Sequence, residues 1–273
     1  MYLRDADPAG ANYLVFRDTT AGGQPTVWQF RAISEKLGPA EAAKDVEKFL
    51  ADKPGNKVVN AREIQGDRFT APGPYGIDLE FYVARPAGTP RHTFRFGGMR
   101  ESIPEYCDYL HLQLPADGSY FVAIFPRARA EEAPTFTKLA DGKVIKVTGK
   151  FGTDYAILSQ EPADAKADGA SFQGTAGCVQ DRAAGLSLAV LAPGTVAYND
   201  YSLTAPMAAS MRVEKDALSL DFPADHQGGE VVLSAPGKWK ADALAGVEIK
   251  TNEKKQLVLT VSAGANLVRL VRE

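Results

Sequence analysis

Ser119-Tyr120-Phe121-Val122-Ala123-Ile124-Phe125 is apolar on both of its alternating faces, the pattern of a central β-strand covered from both sides. The stretches around it repeat the strand period. Leu110, Leu112 and Leu114 alternate with Tyr109, His111 and Gln113. Arg91, Thr93 and Arg95 alternate with His92, Phe94 and Phe96. Ile77, Leu79, Phe81 and Val83 alternate with Asp78, Glu80 and Tyr82, which predicts a half-buried strand with one acidic, polar face. Nearer the N-terminus, Tyr13–Arg17 and Thr26–Arg31 read as strands around an Ala21-Gly22-Gly23 turn. Beyond the opening stretch, Lys143–Thr148 and Thr153–Leu158 flank Gly149-Lys150-Phe151-Gly152 in the same way.

One segment departs from this period. Pro39 to Lys53 carries Ala43, Val46, Phe49 and Leu50 at helical spacing, with Pro39 suited to a first turn and Pro54-Gly55 to a stop. It predicts a single amphipathic helix near 39–53. Composition changes near residue 160, where Pro162 to Gly169 is small, polar and turn-prone and reads as a linker. Short strands follow at Leu186–Leu191, Ala217–Phe222, Glu230–Ala235, Gln256–Ser262 and Leu267–Val271. The expected architecture is all-β, a sandwich or stacked sandwiches with one inserted helix. The expected domains are 1–160, with the helix, and a smaller β unit over 161–273.

The 273 residues carry a formal net charge of -3, with 45% hydrophobic and 24% charged residues. That balance fits a globular chain with a sizeable core and argues against a nucleic-acid partner, which calls for a basic excess. No apolar run approaches the roughly 18 residues of a membrane span, so no membrane partner is expected. Met1 to Pro8 contains no apolar signal region, so no export signal is expected in this sequence. Cys107 and Cys178 form neither a metal-ligand spacing nor a CxxC motif; two free thiols and a disulfide between them are both compatible with the sequence.

No nucleophile elbow, phosphate loop, zinc-protease helix or dinucleotide fingerprint is present, so neither a cofactor nor a metal is expected. The three histidines are therefore the scarce chemical resource. His111 shares a face with Tyr109 and Gln113, a setting that suits acid–base work, sugar hydrogen bonding or a structural role. His92, on the face of Phe94 and Phe96, reads as a core histidine, and His226 as a loop residue. Alternation assigns His92 and His111 to different kinds of face, which argues against a shared zinc ion. Arg91, Arg95 and Arg100 cluster around one strand, and arginine forks match uronate carboxylates or sulfates. Arg127, Arg129, Lys143, Lys146 and Lys150 extend this basic set, and the other reading of all these residues is a solvated sheet face paired with Asp78 and Glu80.

Several stretches, taken in order, resemble the C-terminal β region of heparinase II/III-like polysaccharide lyases. They are Tyr13 to Asp18, Trp28-Gln29-Phe30, Leu110-His111-Leu112-Gln113, Tyr120 to Arg127, Gly142 to Val147 and Phe172 to Gly177. The resemblance runs over roughly residues 3 to 272. It implies a large two-layer β super-sandwich followed by a smaller β domain, packed on an N-terminal α/α toroid. It also implies β-elimination on acidic polysaccharides: a base removes the proton α to the uronate carboxylate and the 4-linked sugar leaves. In that family the toroid brings most catalytic groups, and the first β segment adds a His-x-His-x-Asp stretch. This sequence contains neither.

The reading is therefore a non-catalytic β module that packs on a catalytic toroid partner and contacts acidic polysaccharide, in the periplasm or outside the cell as the resemblance implies. An autonomous lyase using His111 and Tyr109, with Arg95, Arg91, Arg100 and Gln113 on the substrate, is the alternative. A structural or adhesion sandwich is the third. Apolar surface left by a missing partner also predicts homo-oligomers.

Overall fold

In the computed structural model, the strand Gly118–Ala128 is buried on both faces. Tyr120 and Val122 lie on one face, Phe121 and Ala123 on the other, and none is more than 1% exposed. Fully burying such side chains contributes about 1.5–3 kcal/mol for each large one. The structure describes residues 1–5, 7–34, 37–38, 43–45, 57–64, 66–86, 91–97, 107–114, 116–241, 247–251 and 256–273. Among the described residues every regular element is a strand, so the all-β expectation holds. The chain divides into two compact units, Met1–Phe136 and Thr137–Glu273.

The strands of the first unit are β1 (Tyr2–Leu3), β2 (Tyr13–Thr20), β3 (Thr26–Ile33), β4 (Ala43–Asp45), β5 (Lys57–Ile64), β6 (Arg68–Pro72), β7 (Ile77–Arg85), β8 (Arg91–Gly97), β9 (Cys107–Leu114) and β10 (Gly118–Ala128). They form two five-stranded antiparallel sheets, ordered β1-β2-β10-β7-β6 and β3-β9-β8-β5-β4. One apolar core lies between the sheets. Phe69, Phe81, Val83, Tyr120 and Val122 enter it from the first sheet, and Ala32, Leu110, Leu112 and Leu114 from the second. An aromatic chain continues it, with ring centroids 5.2 Å apart for Phe16–Trp28, 5.9 Å for Trp28–Phe30 and 4.7 Å for Phe30–Phe81.

The helix expected near 39–53 is corrected where it can be seen. Ala43–Asp45 is the edge strand β4, paired with Arg62–Ile64 of β5. The rest of that span lies outside the described residues. Three residues at a sheet edge take the conformation that a partner strand rewards, whatever their local spacing favours.

The second unit holds β12 (Val144–Gly149), β13 (Gly152–Ala167), β14 (Ala170–Arg182), β15 (Gly185–Val190), β16 (Gly194–Tyr198), β17 (Tyr201–Ala205), β18 (Ala209–Val213), β19 (Ala217–Asp221), β20 (Gly229–Ser234), β21 (Trp239–Ala241), β22 (Val247–Thr251), β23 (Leu257–Val261) and β24 (Leu267–Arg272). A further strand, β11 (Thr135–Leu139), spans the division and pairs with β12.

The long hairpin β13–β14 organises this unit. Thr153–Leu158 pairs with the C-terminal half of β14, which continues through β15, β18, β19, β24 and β21. Ala163–Ala167 pairs with the N-terminal half of β14, which continues through β16, β17, β20, β23 and β22. The register breaks between Leu158 and Ala163, so the hairpin turns a corner and belongs to both arms. Both arms feed one core, with Tyr155, Val179, Leu188 and Met211 from the first and Phe172, Val196, Leu203 and Leu259 from the second. At the corner Gly174 has φ +131°, and a Cβ there would stand 3.0 Å from the Pro193 carbonyl oxygen.

The linker expected at 162–169 is thus a strand and its turn. Ala163, Ala165 and Ala167 alternate with Asp164 and Lys166 along β13, and Asp168-Gly169 forms a two-residue turn with both φ values positive, 49° and 81°. Small side chains hid a strand period there. The division expected near residue 160 falls inside β13, because the strands before it pair into the second unit.

Candidate functional site

The sheet β3-β9-β8-β5-β4 has one face on the core of the first unit and one turned away from it. Strand register brings the chemistry-bearing residues together on the second face. His111 stands directly opposite His92 on β8 and opposite Gln29 on β3, and His92 stands opposite Glu63 on β5. These four residues form a row across the sheet. A parallel row runs Arg31, Tyr109, Phe94.

This arrangement corrects the expectation that His92 and His111 occupy different faces. Alternation ranks residues within one strand; the register between strands decides which faces coincide. In β8 it turns His92 and Phe94 away from the unit core and sends Arg91 and Thr93 toward it, opposite Leu112 and Leu110.

The row is tightly held. His111 Nε2 donates to Gln29 Oε1 at 2.8 Å. Phe94 meets the His111 imidazole edge-on at 4.5 Å and stacks on Tyr109 at 5.1 Å. The Arg31 guanidinium lies 5.9 Å from the Tyr109 ring centre. His111, His92, Phe94 and Tyr109 are all buried. Burial, and then the neighbouring His92, push the His111 imidazole down to about 4. Burial also lowers His92, partly offset by the Glu63 carboxylate. Both rings are therefore neutral at pH 7. A ring that yields its proton near pH 4 is a weak base, poorly matched to removing a proton from carbon.

Of the expected substrate-binding residues, Arg91 faces away from this row. Arg91 is 4% exposed. Its guanidinium pairs with Asp67 at 2.8 Å, donates to the Pro86 carbonyl oxygen at 2.8 Å and lies 5.8 Å from the Phe69 ring centre. It is committed to the interior, a role that its charge concealed. Arg95 lies on β8 opposite Asp108. Arg100 lies outside the described residues. Gln113 is half-buried on the His111 face, opposite Val27. Gln29 was not singled out in the sequence; its only signal is its alternation with Trp28 and Phe30.

Arg127 and Arg129 do pair with Asp78 and Glu80, but the acidic face is buried, not solvated. Glu80, with no exposed surface, accepts from Arg68, Thr70 and Arg127 at 2.9–3.1 Å. Arg129 Nε donates to Asp78 at 3.1 Å. Four hydrogen bonds to the Glu80 carboxylate repay its desolvation and leave little capacity for a ligand.

His226 has a structural task. Its Nδ1 accepts from the Gly228 amide and its Nε2 donates to the Ala265 carbonyl oxygen, each at 2.9 Å, so the ring ties two turns together. Cys178 is a free, buried thiol. Among the described residues no group of three or more His, Cys, Asp or Glu could hold a metal ion, and no helix is long and apolar enough to cross a membrane.

No protein-family model matches the chain, and no curated protein matches it at a significant level.

Proposed function

We propose that this chain is a non-catalytic β module of the kind its resemblance to heparinase II/III-like lyases implies, working in the periplasm or outside the cell. It packs on a catalytic partner and contacts acidic polysaccharide. The observation that supports this most is the fate of the one constellation from which an elimination centre was expected. Tyr109 and His111 are buried against Phe94, the first stacked and the second edge-on, and His111 is tied to Gln29 and held neutral and weakly basic. A lyase base must reach the sugar C5 proton and be basic enough to take it. A rigid ladder of this kind suits a scaffold better.

Calorimetric titration with uronic-acid oligosaccharides tests the contact with glycan, and ultraviolet absorbance of unsaturated uronates tests for elimination. Saturable binding without absorbance growth is the expected result. Absorbance growth that disappears in His111→Ala would replace this reading with the autonomous lyase. Binding to no acidic glycan would reduce the module to a structural part.

A further inference from the structure

We infer that the outer edge of β3 is a self-association surface, on which a second copy of this chain adds its own β3 antiparallel, about a two-fold axis through Phe30. Among the described residues β3 ends its sheet and pairs with β9 alone. Its eight residues run opposite β9 without a register break. A long, regular edge strand offers a row of backbone donors and acceptors to another chain, and proteins usually blunt such edges with bulges, prolines or charged side chains. Thr26–Ile33 holds no bulge or proline and a single charge, Arg31. Two of the exposed large hydrophobic residues, Val27 at 49% and Ile33 at 45%, lie on this one strand and on one face of it.

The order of side chains identifies the occupant. A two-fold axis normal to the sheet keeps residues of one face with residues of the same face, so only registers centred on a residue are allowed. Centred on Phe30, Val27 meets Ile33 of the other copy, Gln29 meets Arg31, and Trp28 meets Ala32. Apolar faces apolar, a large ring faces a methyl, and a guanidinium faces an amide oxygen. Gln29 Oε1, which already accepts from His111, retains a second lone pair for it. Centring on Gln29 instead sets Val27 against Arg31 and Trp28 against Phe30. Centring on Arg31 sets the two guanidiniums against each other, which is unfavourable. Of these three registers, the one centred on Phe30 makes the strand its own complement. The contact is isologous and consumes the edge, so it closes at a dimer and does not extend into a fibre.

Sedimentation equilibrium tests this on the wild-type chain and on V27K, I33K and V27K/I33E, each checked for its native circular dichroism spectrum. Both substituted positions are exposed, so the fold should survive. The wild type should be a dimer that dissociates on dilution. Each single substitution is made twice per dimer and should raise the dissociation constant by about tenfold or more. V27K/I33E sets each introduced ammonium opposite an introduced carboxylate and should return the constant to within about threefold of wild type. A wild type that stays monomeric at every concentration overturns the proposal. So do single variants that dimerise like wild type, and a double variant that fails to recover.

Discussion

His92 and His111 stand face to face on β8 and β9, both buried and both below their ordinary titration range. Burial and then the facing His92 make protonation of His111 harder, because a second positive charge would share the same dry interval. The first unit should therefore lose stability in acid. The unfolded chain takes up protons near pH 6.5, whereas folded His111 holds off until about 4. Stability is flat above pH 6.5, falls between 6.5 and about 4, and levels off for this group below that. The loss from His111 is on the order of 3 kcal/mol. Urea unfolding across pH 7 to 4 should show the slope, and His111→Gln should flatten it.

Asp154 and Arg182 form a second high-stakes pair, in the other unit. Asp154 has no exposed surface, and the Arg182 guanidinium clasps both its oxygens while lying over the Phe151 ring. Removing one partner leaves an uncompensated buried charge. Asp154→Asn or Arg182→Met should each cost about 3–5 kcal/mol. Asp154→Leu with Arg182→Met should cost less than the sum of the corresponding single changes. Thermal unfolding of the full cycle measures the coupling.

Gly174 occupies backbone space that other residues avoid, and a neighbouring carbonyl fills the place of its side chain. Gly174→Ala should destabilise the second unit by about 1–3 kcal/mol. A change that leaves its midpoint untouched would mean that the corner relaxes freely.

Cys178 should be chemically silent in the folded chain. Burial, reinforced by Asp154, pushes its thiol up to about 12, so at pH 8 roughly one molecule in ten thousand carries the reactive thiolate. Peptide mapping after alkylation should find Cys178 unmodified under native conditions and modified in denaturant.

Much of this architecture was legible locally. The apolar run at Ser119–Phe125 became the doubly buried β10, and the alternation over Ile77–Val83 became β7, because side-chain period follows directly from backbone pleat. What depends on partners was not legible. The meeting of His92 with His111 is a matter of register between strands, and no residue count within either strand encodes it. Arg91 looked like a ligand for carboxylates because its own carboxylate, Asp67, lies on a different stretch of chain. The helical spacing around Ala43 was real as a pattern, yet a neighbouring strand decided its conformation. Pro162–Gly169 looked like a linker because alanine barely registers as apolar in an alternating pattern.

The corner hairpin also bears on how the second unit comes to be folded. Most partners of the outer strands are distant in sequence: Ala217–Asp221 waits for Leu267–Val271. The β13–β14 pairing, by contrast, zips outward from a two-residue turn and needs no distant segment. Local contacts of this kind close at low entropic cost, so they form the natural nucleus on which both arms assemble. A substitution at that turn, such as Gly169→Val, should act on the folding limb of a chevron plot, whereas lesions in β21 or β22 should hasten unfolding. The hairpin shared by the two arms is then the point where assembly of the second unit begins, and its turn sets the pace.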